Sequence, residues 1–432
     1  MANIEFDNIK WQENIQTANT AGNAEKTLEV EKQNAAITAI RLLNYKAFED
    51  SGWIEFDKIT ILLGCNSAGK SSVYQVLRML KICFGKLRNE QRFYGMDDLA
   101  NEFGSISEMI CSRAKKKEAS VQFKISLDGD CLVYQIHLGI DEKKNEYISS
   151  EIWKNEKKVE TSGEYRNINV FFLQKKDDSI MSEGTFEVAS VVNALTKFSR
   201  NLNYMLPVRM NADRRMFFSG KNQHEIGIRG ENTYEILFGL SEAEIKEQKI
   251  INEWLEKFGY EYYFKLEDKK NSGSFMLKNM KNKIETNIVD NGFGISQSLP
   301  IAVAVAMLSK GMLLIDSPEA HLQTNMQSEL GDLFLHVVDT EGKVLLETGS
   351  EYLLLRLQRR VAEGKINPKQ LAIYFIENGK DGMARCEKVS VGEDGNLKSE
   401  QKTFQRFFSS DYEDMVAIDR MKYEKHLKEK AN

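Results

Sequence analysis

The chain has 432 residues, 42% hydrophobic and 28% charged, with a formal net charge of -5. That length suits two domains with a large core, and the acidic balance excludes a generally basic nucleic-acid coat, although Lys115, Lys116 and Lys117 leave room for a local patch. The sequence has no apolar run of membrane-span length and no basic-then-apolar start, and its five cysteines have no C-x-x-C spacing, so a cytoplasmic protein with reduced thiols and no membrane contact is expected.

In chain order, residues 12–34 are polar and rich in Asn and Gln, which predicts a flexible N-terminal extension over residues 1–35. AAITAIRLLNYKAF reads as a β-run, and WIEFDKITILLG ends as a buried strand. SSVYQVLRMLKICF places Val73, Val76, Leu77 and Leu80 on one helix face. Residues 36–118 are therefore assigned to the N-terminal lobe of an α/β head. VQFKISL, CLVYQIHLGI and NVFFL, separated by turn residues, predict an antiparallel meander. Helical spacing follows at Val191, Leu195, Phe198 and Leu202, then at Ile251, Trp254, Leu255 and Phe258. Together these make residues 119–283 an inserted meander and helical subdomain. No heptads support a coiled-coil arm. From 284 to 432 the pattern alternates helix and strand (SQSLPIAVAVAML, GMLLID, MQSELGDLFLHVV, KVLLET, EYLLLRLQRRVAEG, LAIYFIENG), which predicts a mostly parallel sheet with covering helices, the C-terminal lobe.

Three stretches carry chemistry. GCNSAGKS at 64–71 matches G-x-x-x-x-G-K-[ST] between a strand and an amphipathic helix. The backbone of Gly64, Asn66, Ser67, Ala68 and Gly69 can cradle phosphates, with Ser72 following in the helix. Lys70 can reach the outer phosphates and Ser71 can ligate Mg2+. MLLID ends in Asp316, a second metal contact at a strand's carboxyl end. NGFGISQS offers Gly294, Ser296 and Gln297 at a helix N-terminus, 22 residues before Asp316. A helix cap at Ser296 is the alternative reading of that turn.

The order of these stretches resembles the ABC-type P-loop NTPase head of SMC and RecF proteins. More closely, the chain is similar to the OLD-like (overcoming lysogenization defect) AAA-type ATPases of bacteria, in a branch without a Toprim nuclease domain. The resemblance runs through NYKAFEDSGWIEFDKITILLGCNSAGKSS, LPVRMNADRRMFFSG, IGIRGEN, NGFGISQSLPI, IDSPEAHLQ and ETGSEYLLLRLQRRVAEG. It implies a homodimer or higher homo-oligomer that sandwiches ATP. Gly294, Ser296 and Gln297 would meet the γ-phosphate in trans, while Lys70, Ser71 and Asp316 act in cis. It further implies a separately encoded effector, a nuclease or toxin, in anti-phage defence. A RecF-like ATPase that contacts DNA directly is the rival reading, and duplex binding with steep salt dependence would mark it.

Two positions depart from the resembled pattern. Ser317 stands where a carboxylate or amide is usual, and Gly349 where a histidine is usual. Serine has no basicity near neutral pH. Glu319 and His321 are the nearby substitutes, and a structural role is the alternative reading of Glu319. IENGKDG lacks the spacing and the following acidic strand of a Toprim domain. A weak ATPase is therefore expected, with Ser317, Glu319 and His321 as the catalytic candidates.

Overall fold

The computed structural model describes residues 35–65, 67–85, 103–127, 130–159, 185–219, 225–240, 246–267 and 272–399. The expected extension up to residue 34, the segment NVFFL, Asn66 and the residues from 400 onward lie outside the described residues. The chain packs as two compact units. One comprises Met1–Glu55, Ser71–Leu202 and Gly382–Ala384, and the other Phe56–Lys70, Asn203–Asp381 and Arg385–Asn432.

The first unit opens with β1 (Ala36–Tyr45), which pairs antiparallel with β2 (Phe48–Asp50) and β3 (Ile54–Glu55). The chain passes through β4 (Ile59–Gly64) of the second unit and returns as helix α1 (Lys70–Gly85). Val73, Val76, Leu77 and Leu80 of α1 are buried, the face that the periodicity predicts. After the short α2 (Ile106–Met109) come β5 (Glu118–Leu127), β6 (Asp130–Ile140), β7 (Glu146–Lys154) and β8 (Lys157–Lys158), in the order β8-β7-β6-β5-β1-β2. Alternate residues of β5 and β6 are buried, so one face is core and the other polar. Helix α3 (Thr185–Arg200) packs on β1, β5 and β6, and its Val191, Ala194 and Leu195 are buried. It stops at Arg200, so Leu202, expected on the same helix face, instead begins strand β9 (Leu202–Met205).

The polar face of this sheet gathers Ser120, His137 and Glu151 from three strands. Ser120 Oγ lies 3.1 Å from His137 Nδ1, and His137 Nε2 lies 3.2 Å from Glu151. The trio looks like a nucleophile, base and orienter. However, Nδ1 also faces Glu118 at 3.3 Å. Carboxylates therefore face both ring nitrogens, and the group reads as a cross-strand polar network rather than an activated serine.

The second unit has a parallel centre. Strands β4, β14 (Lys310–Asp316), β15 (Glu341–Glu347) and β16 (Leu371–Asn378) run in the order β16-β4-β15-β14, with β17 (Ala384–Val391) beside β16 and β9 beside β14. ITILLG and LAIYFI are buried at every position, the continuous apolar pattern of strands covered on both faces. Helix α6 (Phe293–Ala306) is buried at every residue from Ile295 to Ala306, whereas α7 (Thr324–Phe334) and α8 (Glu351–Ala362) each bury one stripe. Helices α4 (Thr233–Leu240) and α5 (Lys246–Lys257) contact α6, with Trp254 Nε1 donating to Ser298 Oγ at 3.2 Å.

The stretch expected to be helical also contains a second small sheet. Here β10 (Met216–Phe217), β11 (Tyr260–Leu266), β12 (Ser272–Asn279) and β13 (Glu285–Asn287) pair antiparallel. Phe218, Tyr262, Phe264 and Phe275 form an aromatic cluster with Phe238 of α4. The architecture is α/β: a parallel core with antiparallel additions and covering helices.

Candidate nucleotide site

The register of the parallel strands levels their carboxyl ends: Asp316 lies opposite Glu347, Glu347 opposite Leu62, and Ile376 opposite Gly64. The space beyond such ends is where open α/β sheets bind ligands. The loop leaving β4 enters that space. Gly64 has φ +142°, and a Cβ there would sit 1.8 Å from the carbonyl oxygen of Ile376. Ser67 and Gly69 also have positive φ, 62° and 104°, which turns the chain tightly, and Ala68 N donates to Cys65 O at 3.3 Å. Lys70 is 7% exposed. Its Nζ donates to the carbonyls of Gly64 and Cys65 at 2.9 Å each and lies 3.9 Å from Glu347. The ammonium is thus held inside the curl of its own loop. Ser71 and Ser72 follow in α1, the first exposed and the second buried.

At the end of β14 the backbone reverses at Ser317, whose φ is 46°. Ser317 N donates to Glu347 O at 2.8 Å, and its hydroxyl donates to Asp316 Oδ1 at 2.8 Å. Glu319 is clasped by the end of β15: Thr348 Oγ1 donates to Oε2 at 2.7 Å and Gly349 N to Oε1 at 2.9 Å. His321 is exposed, with φ 68°, and its ring meets Phe293 edge-on at 4.8 Å. Asp316, Ser317 and Glu319 therefore lie on one reversal beside the strand end, with His321 outside it against the glycine-rich turn.

That turn has a buried side and an open side. Ser296 is 8% exposed, and its hydroxyl donates to Phe293 O at 2.9 Å; Gln297 is fully buried. Gly294 is half-buried against the backbone of His321, and Phe293 is 47% exposed. In the single chain, Gly292, Phe293 and Gly294 form the open side. Gln297 binds inward to Arg209, accepting from its N at 3.0 Å and donating to its O at 3.2 Å.

Arg209 escaped the sequence reading as a site residue. It is 1% exposed, and its NH2 group donates to the carbonyls of Asp316 and Ser317 at 3.0 and 3.1 Å. Among the described residues, its Nε and NH1 have no hydrogen-bond partner. Burial pushes the guanidinium down to about 10, opposed by Glu319 and Asp316, so it is charged at neutral pH. LPVRMNADRR offers three arginines without indicating which is buried. Arg214 and Arg215 are exposed and pair with Asp290 and Glu267.

These residues fit a magnesium nucleotide. A loop whose first residue, Gly64, leaves no space for a Cβ, a buried lysine curled within it and a half-buried aspartate at the end of β14 match phosphate and metal in charge. Among the described residues there is no cluster of three His, Cys, Asp or Glu that could hold a metal by itself. Nor is any helix there long and apolar enough to cross a membrane.

No curated protein matches the chain. Among solved structures, an Smc head bound to the C-winged helix domain of ScpA aligns at 16% identity, covering 83% of this chain and 98% of that one, with a TM-score of 0.47. The SMC head domain from Thermotoga maritima aligns at 11% identity over 82% and 100%, with a TM-score of 0.42. A Pyrococcus furiosus Smc head with an extended coiled coil, bound to the C-terminal domain of ScpA, aligns at 14% over 82% and 96%, also with a TM-score of 0.42. The family model described as the AAA ATPase domain matches residues 36–354, from β1 through the phosphate loop and the acidic strand into α8, and the chain belongs to that family.

Proposed function

We propose that this ATPase is a switch that binds ATP in Mg2+-dependent fashion, hydrolyses it slowly, dimerises around it and controls a separately encoded effector. The ATP-binding half is supported by the phosphate loop within a matched AAA ATPase domain. The effector, a nuclease or toxin in bacterial anti-phage defence, is supported by the OLD-like resemblance of residues from 36 onward.

Lys70 and the loop N–H groups bind the phosphates, and Asp316 would hold Mg2+. When bound, the metal neutralises charge on the outer phosphates. One observation carries the slow-turnover reading: Ser317 has no basic group, and Glu319 is held against the end of β15. Ser317 spends its hydroxyl on Asp316, and Glu319 accepts from Thr348 and Gly349 on both carboxylate oxygens. A positioned general base contributes about 10²- to 10⁴-fold in rate. Without one, turnover falls below about one per second, the low end of typical enzymes.

The test is ATP turnover alongside ATP affinity. Ser317→Glu combined with Gly349→His should raise turnover. A Cβ at 349 would meet only Glu319 Oε1, at 4.0 Å. Brisk wild-type turnover that Glu319→Ala abolishes with binding intact would show an ordinary ATPase whose base is Glu319. Solution scattering with and without ATP tests assembly: an unchanged mass refutes nucleotide-driven dimerisation.

A further inference from the structure

The backbone at Ser317 has two strikes against it. A non-glycine residue at φ 46° is uncommon, and a residue before proline, here Pro318, is pushed towards extended conformations. Something must hold it there. Successive carbonyls of an extended strand point to opposite sides, yet those of Asp316 and Ser317 both accept from one nitrogen of Arg209 at 3.0 and 3.1 Å. The left-handed residue makes the two carbonyls converge, and the guanidinium sits at their focus.

We propose that Arg209 is the positioning residue of the acidic turn: it pins the carbonyls of Asp316 and Ser317, fixes Ser317 in its left-handed conformation, and so presents the Asp316 carboxylate to the metal. The consequence is local and specific. With Ser317 so turned, its hydroxyl lies 2.8 Å from Asp316 Oδ1 and restricts that carboxylate's rotation. Arg209 is itself fixed by the reciprocal bonds of Gln297, which leads from α6 to the acid. A buried cation is a costly way to fill space, and a residue kept for packing alone would be apolar.

The assignment rests on the magnesium-ATP reading, and the experiment separates the two. ATP affinity is measured by calorimetry in EDTA and in Mg2+ for the wild type, Lys70→Ala, Arg209→Met and Arg209→Lys. Bound Mn2+ is followed by electron paramagnetic resonance in the presence of ATP. Lys70→Ala should lose affinity in both conditions. Arg209→Met should keep the EDTA affinity within about two-fold and lose about ten-fold or more of the Mg2+-dependent gain, with an altered Mn2+ spectrum. Arg209→Lys, shorter but still cationic, should fall between, and it carries the test if Arg209→Met does not fold. A folded Arg209 variant with the wild-type Mg2+ gain and Mn2+ spectrum overturns the assignment while leaving the nucleotide reading intact. Wild-type protein that binds no ATP overturns both.

Discussion

Gly64→Ala tests the cradle most directly because the collision can be worked out atom by atom. The added carbon would lie 1.8 Å from Ile376 O and 2.9 Å from Ile376 C, whereas real Cβ atoms essentially never come within 3.0 Å of such neighbours. The obstacle is the backbone of β16, held in register with β4 from Leu371↔Ile59 to Ile376↔Gly64, so no side chain can swing aside. Either the last turn of register opens or the loop shifts by more than an ångström. The positive φ adds a conformational cost of about 1–2 kcal/mol for a residue with a Cβ, and overpacking adds about 1–3 kcal/mol. A total of about 3 kcal/mol should lower the melting temperature by roughly 5–10 °C. A shifted loop also loses its phosphate geometry, so ATP affinity should fall at least ten-fold even in the fraction still folded. Differential scanning fluorimetry and calorimetric titration measure the two effects. Wild-type values in both would refute the placement of the loop against β16.

Lys70→Ala should leave the secondary structure unchanged by circular dichroism and weaken ATP binding by on the order of 100-fold, because the charge inside the loop is gone; equal affinity would sink the phosphate-loop assignment. Cys65 is exposed on that loop, whereas burial pushes the Cys386 thiol up to about 12. A maleimide at pH 7.5 should therefore label Cys65 quickly and Cys386 slowly, with Mg2+ and ATP slowing Cys65 alone, as peptide mass spectrometry would show. Asp332 opposes the cost of its own burial with hydrogen bonds from Arg360 and Arg356 on α8, and its carboxyl is held below the usual range. A depressed carboxyl stabilises the fold above its unfolded value and loses that contribution as pH falls through its folded value. The melting difference between wild type and Asp332→Asn should accordingly be larger at pH 7 than at pH 3, and a constant difference would show that the ion pairs contribute nothing.

What the sequence discloses follows from how far apart in the chain each determinant lies. β4, β14, β15 and β16 are covered on both faces, so each writes an unbroken apolar run that needs no partner to be read. The phosphate loop is equally local: its glycines, lysine and serines are consecutive, and their flanking strand and helix adjoin them. β7 (EYISSEIWK) has one solvated face and a weak pattern, and nothing within it distinguishes it from a polar turn. In β11, burial is partial at four aromatic or polar positions and absent at three, so its strand character arises mainly from pairing with β12. The site divides in the same way. Asp316 is legible as an acid ending a strand, but the bonds that occupy Glu319 come from residues 29 and 30 positions later. The carbonyls that capture Arg209 lie 107 and 108 positions away. An arginine in LPVRMNADRR looks solvated until the fold places two convergent carbonyls before it. Local chemistry therefore points to phosphate binding, whereas the groups proposed to set how fast the chain turns over are defined only by long-range contacts. On the proposed assignment the Arg209 clamp and the Ser317 hydroxyl together set where the Asp316 carboxylate points, and no single stretch of sequence contains both.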